Sequence, residues 1–447
     1  MSWKISVMSG GKGSWPNRLM GRRAVLGGLA GAALTPLAAW ASLSHIPPDA
    51  EPATRPDAEP AGDRRMRGMW LSSVLNSNWP SRPGLPAAVQ RDEFASWMDL
   101  AVSLKLNSVF VQVRPTADAF WPSPYEPWSQ YLTGVQGRDP GYDPLAFMVD
   151  AAHERGLAFH AWFNPYRVSM RRDTPLAAGH PLLREPGWGV AYGDGLYYNP
   201  GLPEVRAFVQ DAIMDAVTRY DVDGLHFDDY FYPYPLAGQE FDDTRAYAEH
   251  GTGFPDRAAW RRHNVDLLVQ ELSTRVRRDK PDVQWGISPF GIWRNATTDP
   301  LGSDTKGSQS YDDQYADTRK WIRSGWLDYV APQLYWNIGL PAADYAKLVP
   351  WWSDVVKGTG TALWIGQPAY RSGAPGEPSV WQNPEELTRH LTLNRPHPEI
   401  TGDIFFSATD LRADRLGAIT RVIQDHYQTP ATAPTLTRHP NLLPSWH

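Results

Sequence analysis

The sequence predicts an α/β fold, a (β/α)8 TIM barrel with enlarged loops at the C-terminal face, on three observations. Short apolar segments alternate with amphipathic ones eight times between residues 67 and 426, and that alternation marks parallel βα units. An open, doubly wound sheet would place a glycine-rich turn after its first strand. Here LNSNWPSRPG follows Val74, with neither GxGxxG nor a P-loop in the chain. Third, the C-terminal ends of the apolar segments are polar, and in a closed barrel those ends build the site.

The strand segments are RGMWLSSV (67–74), NSVFVQVRP (107–115), LAFHAWFNP (157–165) and VDGLHFDDY (222–230). They continue with VQWGISPFG (283–291), LDYVAPQLYW (327–336), TALWIGQPAY (361–370) and GDIFFSATD (402–410). Helical periodicity follows each, near 90–105, 142–155, 203–219, 257–279, 315–325, 342–357, 384–392 and 411–426. The barrel is therefore expected over 64–427, with a proline-rich tail over 428–447.

Before the barrel, Arg22 and Arg23 abut an apolar, Gly- and Ala-rich stretch ending at Ala39-Trp40-Ala41. This predicts a twin-arginine export signal over 1–41, and residues 42–63, rich in Pro, Ala, Glu and Asp, a disordered linker. The expected location is the periplasm or the extracellular space. The apolar stretch is too short and too mildly apolar for an anchor, and no later run is long enough to span a bilayer.

The 447 residues contain no cysteine, so thiolate chemistry and disulfides are excluded. A net charge of −6 argues against a nucleic-acid partner. The 21 tryptophans are more informative, because several sit among prolines and polar residues, as Trp121, Trp128, Trp293 and Trp336 do. Aromatic faces in a cleft suit the C–H faces of sugar rings.

Read in order, the strand ends offer Asn76 and Asn78; Arg114; Asn164 and Arg167; Asp228, Asp229 and Tyr230; and Ser288. Gln333, Tyr335 and Trp336 follow, then Gln367 and Tyr370, and finally Ser407 and Asp410. Strand alternation puts Gly224, His226 and Asp228 on the inward face and Leu225 and Phe227 under the helices. It likewise groups His160, Trp162 and Asn164, Gln112 and Arg114, and Gln333 and Tyr335. Pro233 and Pro235 stop the fourth strand, so the chain turns at the aspartates and brings both toward the cleft.

Two carboxylates in one cleft separate in pKa, leaving one charged and one able to hold a proton, which is what glycoside hydrolysis requires. No other strand end offers an immediate carboxylate before the eighth; Asp118, Asp299, Asp304 and Asp410 lie farther along their loops. A substrate-assisted route needs only this pair, one residue as acid/base and one orienting the sugar's own 2-acetamido group. A conventional route would recruit a loop aspartate. Three other readings are a turn cap with an arginine pair (Arg114 or Arg167), a carbohydrate-binding barrel without turnover, and a metal-dependent deacetylase using His160, His226 and Asp228. The spacing of those three matches no metal motif, and no cofactor is expected.

Several stretches together, VRPTADAFWPSPYEPWSQYLTG (113–134), FHAWFNPYR (159–167), DGLHFDDYFYPYP (223–235), ISPFGIWRN (287–295), PQLYW (332–336) and IGQPAY (365–370), resemble the glycosyl-hydrolase-like 10 family. This former domain of unknown function includes a divisome-localised glycosyl hydrolase. The resemblance spans roughly residues 64 to 427. It implies a barrel hydrolase acting on peptidoglycan glycan strands, preferentially denuded strands lacking stem peptides. It also implies Asp228 as the orienting or nucleophilic residue and Asp229 as acid/base, roles open to exchange. Arg114, Asn164, Arg167, His226, Tyr230, Trp293, Gln333, Tyr335 and Trp336 are the expected substrate contacts. The chitinase-like pattern DGxDxDxE is matched only at Asp223 and Asp228, since His226 and Tyr230 replace its middle aspartate and its glutamate.

Overall fold

The structure, a computed structural model, describes residues 64–435; the expected signal and linker, and the tail from 436, lie outside the described residues. Eight parallel strands close into a barrel. They are β1 (Met66–Leu71), β2 (Ser108–Arg114) and β3 (Ala158–Phe163), then, beyond an insert of β4 (Arg167–Ser169), β5 (Gly189–Tyr192) and β6 (Gly195–Tyr198), the strand β7 (Gly224–Phe227). The barrel continues with β8 (Gln284–Ile287), β9 (Tyr329–Val330), β10 (Ala362–Gln367) and β11 (Ile400–Phe405), which pairs back onto β1. All eight expected strands are present, in chain order around the barrel.

Helix starts follow from local chemistry. Asp143, Asp256, Asp317 and Asp344 each accept an N–H of the first turn that would otherwise lack a partner. The last expected helix is divided, Ala408–Ala413 and Ala418–His426, because Asp414 and Gly417 adopt left-handed backbone, with φ 37° and 69°. The sixth strand is shorter than expected. Pro332 has no N–H for the ladder, and pairing resumes only as single bridges of Gln333 to Phe290 and Gly366.

Side-chain alternation sorts two cores. Leu225, Phe227 and their outward counterparts join the large cluster beneath the helices. The lumen is filled by Trp70, Phe110, Trp162, Tyr329 and Trp364, with His160 and His226 among them. Such bulk fits only because strand glycines make room. A methyl carbon on Gly224 would stand 2.0 Å from His160 Nδ1, and one on Gly286 2.4 Å from the Tyr329 ring.

The insert β4–β6 is an antiparallel sheet in the loop after β3, with a tight hairpin at Gly193-Asp194 between β5 and β6. At the opposite end of the barrel, the chain beyond Tyr427 crosses the strand N-termini. The carbonyls of Gln428, Thr429, Ala431 and Pro434 accept from Lys105, Arg67, Asn107 and Gln284. No helix among the described residues is long and apolar enough to cross a membrane.

Candidate active site

The strand β7 stops at Phe227 because Asp228 diverts the backbone: its Oδ1 accepts the Tyr230 N–H at 3.0 Å, an Asx turn that competes with the ladder. The turn sends the two carboxylates toward opposite neighbours. Asp228 leans on β3, where its Oδ2 accepts from Asn164 Nδ2 at 2.6 Å and from Trp162 Nε1 at 3.1 Å. Asp229 leans on the β8–β9 side. Its Oδ1 accepts from Gln333 Nε2 at 3.2 Å, and its Oδ2 takes a short hydrogen bond from the Tyr234 hydroxyl.

Asn164 is itself clamped. Its Oδ1 accepts from Gln112 Nε2 at 2.5 Å and from Arg167 Nη2 at 2.8 Å. Gln112 is fixed in turn, because its Oε1 accepts the N–H groups of Ser73 and Val74. With two donors on Oδ1, only the amide nitrogen can face Asp228, so the clamp sets the orientation of Asn164. Gln333 is oriented similarly by its second bond, to the Ser288 carbonyl at 2.9 Å.

The two acids differ electrostatically. Burial raises both above the usual carboxylate range, but Asp228 is drawn back by Arg167, the Tyr230 N–H, Asn164 and Trp162. Asp229 is pushed up to about 7, first by burial and then by the charge of Asp228, with only Tyr234 and Gln333 opposing strongly. The charge of Asp228 and the sparser donor set of Asp229 both favour placing the shared proton on Asp229.

Of the residues expected at the site, Asp228, Asp229, Asn164, Arg167, Tyr230 and Gln333 come together. Arg167 also lies over the Tyr230 ring, 5.0 Å from its centroid. Tyr335 sits within electrostatic reach of both aspartates and packs against Phe406 and Tyr370. Four residues sit elsewhere. Arg114 is wholly enclosed, forming a two-bond ion pair with Glu126 and donating to the Asn164 and Pro165 carbonyls. A register shift between Gln112 and Arg114 pairs Arg114 with the outward-facing Phe163, so its guanidinium leaves the lumen and braces the β3 loop instead.

His226 is inward, as alternation requires, but one layer too deep to meet substrate. It is fully buried and bonded to Trp70, Ser288 and Tyr329. Burial holds it well below its ordinary pKa and holds His160 down at about 4, so both are neutral. Both share the Tyr329 hydroxyl rather than Asp228, and among the described residues no cluster of three His or carboxylate groups could hold a metal. Trp293 donates to Asp317 and stacks on Trp351, away from the aspartates' partners. Trp336 packs edge-on to Phe290, in space that a side chain at Gly291 would fill.

The loop aspartates are also committed. Asp118 accepts from Thr116, Gln130 and Gln136, and Asp410 from Ser407 and Arg415. Asp299 pairs with Arg294 and Asp304 with Lys347. Residues given no site role by the sequence reading are Trp162, Gln112 and Tyr234. The first two were placed on the inward face; the signal for Tyr234 is its position between two prolines.

This arrangement can offer a proton from Asp229 beside a carboxyl that Asn164, Trp162 and the Tyr230 N–H hold in place at Asp228. The model of the family described as glycosyl hydrolase-like 10 matches residues 65–383. The chain belongs to the glycosyl hydrolase-like 10 family. It is 48% identical over 391 residues to "Glycosyl hydrolase YngK" of Bacillus subtilis (strain 168), covering 87% of this chain and 76% of that one. It is 43% identical over 362 residues to "Glycosyl hydrolase DigH" of Escherichia coli (strain K12), covering 76% and 82%. Among solved structures, the catalytic domain of beta-amylase from Paenibacillus polymyxa superposes with a TM-score of 0.51 at 10% identity, covering 83% of this chain and all of that one, a likeness of fold alone. As a member of the glycosyl hydrolase-like 10 family, the protein is a glycoside hydrolase.

Proposed function

We propose that the protein is exported by the twin-arginine route and cleaves peptidoglycan glycan strands, preferring denuded strands, with Asp229 as acid/base and Asp228 orienting the sugar's acetamido group. The observation that carries this reading is the inequality of the pair: adjacent acids with separate donor sets, Asp228 facing Arg167, Asn164, Trp162 and the Tyr230 N–H, and Asp229 pushed up to about 7 by burial and the charge beside it. Asp229 donates its proton to the departing glycosidic oxygen. Asp228 accepts the acetamide N–H and favours attack of the acetamide oxygen on the anomeric carbon, so that the substrate supplies the nucleophile. Water then opens the ring so formed, with Asp229 as base.

The commitment of every candidate loop aspartate to another partner supports this route over one that borrows a third carboxylate. Arg167 uses Nε and Nη2 on Pro115 and Asn164, leaving Nη1 for an anionic substituent. A denuded strand offers one in the free lactyl carboxylate of N-acetylmuramic acid. Tyr230 and Tyr335 supply ring faces beside the pair. The Arg22-Arg23 segment supports delivery to the compartment where this glycan lies.

The test is saccharide release from denuded strands by purified protein, followed by mass. Asp228→Asn and Asp229→Asn are each expected to abolish release while the thermal transition stays near the wild-type value. Retained activity in both variants would overturn the assignment.

A further inference from the structure

We propose that Tyr234 is a positioning residue of this site: its hydroxyl, held in place by its flanking prolines and by the β5–β6 hairpin, grips one oxygen of Asp229 and leaves the other to carry the proton into the cleft. The inference rests on the reading of Asp229 as acid/base.

The geometry is built from three sides. Pro233 and Pro235 fix φ on either side of Tyr234 and narrow the conformations of the segment. The hairpin buttresses it from outside: the Tyr192 hydroxyl accepts the Leu236 N–H at 2.6 Å, and Gln239 accepts the Gly193 N–H at 3.1 Å. The Tyr234 ring packs edge-on to Tyr230 at 5.5 Å and to Phe290 at 6.2 Å. So held, the hydroxyl donates to Asp229 Oδ2. Oδ1 keeps only the longer bond from Gln333, at 3.2 Å, and has a lone-pair position open for a proton.

When that proton passes to the leaving oxygen, the O–H bond at Oδ1 breaks, a bond to the glycosidic oxygen forms, and a full negative charge appears on Asp229. Tyr234 is already aimed at this charge, so its hydrogen bond strengthens as the proton departs. The other groups facing Asp229 do not replace it. Asp228 opposes the new charge, Tyr230 and Tyr335 bear on Asp229 only through space, and Arg167 acts mainly on Asp228.

Tyr234→Phe keeps the ring and removes the donor. The pH profile of kcat/KM on denuded strands, measured for wild type, Tyr234→Phe and Asp229→Asn together, reads the effect. In Tyr234→Phe the alkaline limb, where Asp229 loses its proton, is expected to move up by about 1 to 2 pH units, the reach of one charge-assisted hydrogen bond. A fall in kcat at unchanged KM accompanies it. 3-Fluorotyrosine at position 234 keeps the fold and strengthens the donor, and should move the limb down. A limb that stays put in both variants overturns the role of Tyr234. A limb that persists in Asp229→Asn instead overturns Asp229 as its source, and with it the functional reading beneath.

Discussion

Asn164→Asp isolates the electrostatics of the pair, because the side chain keeps its size and its Oδ1 still serves Gln112 and Arg167. What changes is the atom 2.6 Å from Asp228, a donor in the wild type and a carboxylate oxygen in the variant. Loss of a hydrogen bond to a charged group costs about 1.5 to 3 kcal/mol. Two like charges about 4 Å apart add about 4 kcal/mol at an effective dielectric of about 20. Divided by about 1.36 kcal/mol per pH unit, the charge repulsion alone raises the Asp228 titration by about 3 units. It thereby moves up toward that of Asp229, which is pushed up to about 7. The active form needs Asp228 ionised and Asp229 protonated, so the acid limb of the pH profile rises into the alkaline limb and the bell collapses. Release at pH 7 should fall at least about 100-fold, read from pH profiles of kcat/KM alongside thermal melts. Activity within about threefold of wild type, with an unmoved acid limb and an intact fold, would refute the reasoning.

Trp162→Phe removes the longer donor to Asp228, 3.1 Å away, and should raise the acid limb by about one unit, a smaller step than Asn164→Asp. Asp403, on β11, is buried and pushed up from 3.8 to about 6, mainly by burial. Its folded pKa exceeds its unfolded one, so it lowers stability progressively as pH rises from about 4 to 6. Asp403→Asn keeps acceptors for Gln367 and Asn394; urea unfolding should show it equal to wild type near pH 3.5 and more stable by about 2 to 3 kcal/mol at pH 7. Ending the chain at Tyr427 strips the carbonyl partners of Arg67, Lys105, Asn107 and Gln284. The melting temperature should drop by several degrees while KM stays the same.

The barrel and the acid pair were legible in the sequence because both depend on local patterns. Alternation places Leu225 and Phe227 under the helices and His226 inside, and the structure agrees. Alternation gives a side, however, and not a height. His226 lies below the mouth because Trp70, Phe110 and Tyr329 fill its layer of the lumen, and which side chains share a layer depends on barrel shear. Arg114 misled for a related reason: one register shift turns it outward to Glu126, and such a shift leaves no composition signal. Gln367, read as a cleft residue, faces His390, Tyr345 and Asp403 under a helix. The β4–β6 insert carried a readable hairpin, VAYGDGLYY, hidden inside what the eight-unit pattern assigned to a loop.

The most direct test of the central claim is the mass of saccharides released from denuded, N-acetylated glycan strands in heavy-oxygen water, run beside the same strands after N-deacetylation. The account predicts products with one heavy oxygen at the new reducing end and no cutting of the deacetylated strands. Products without heavy oxygen, or deacetylated strands cut as fast as acetylated ones, would contradict it.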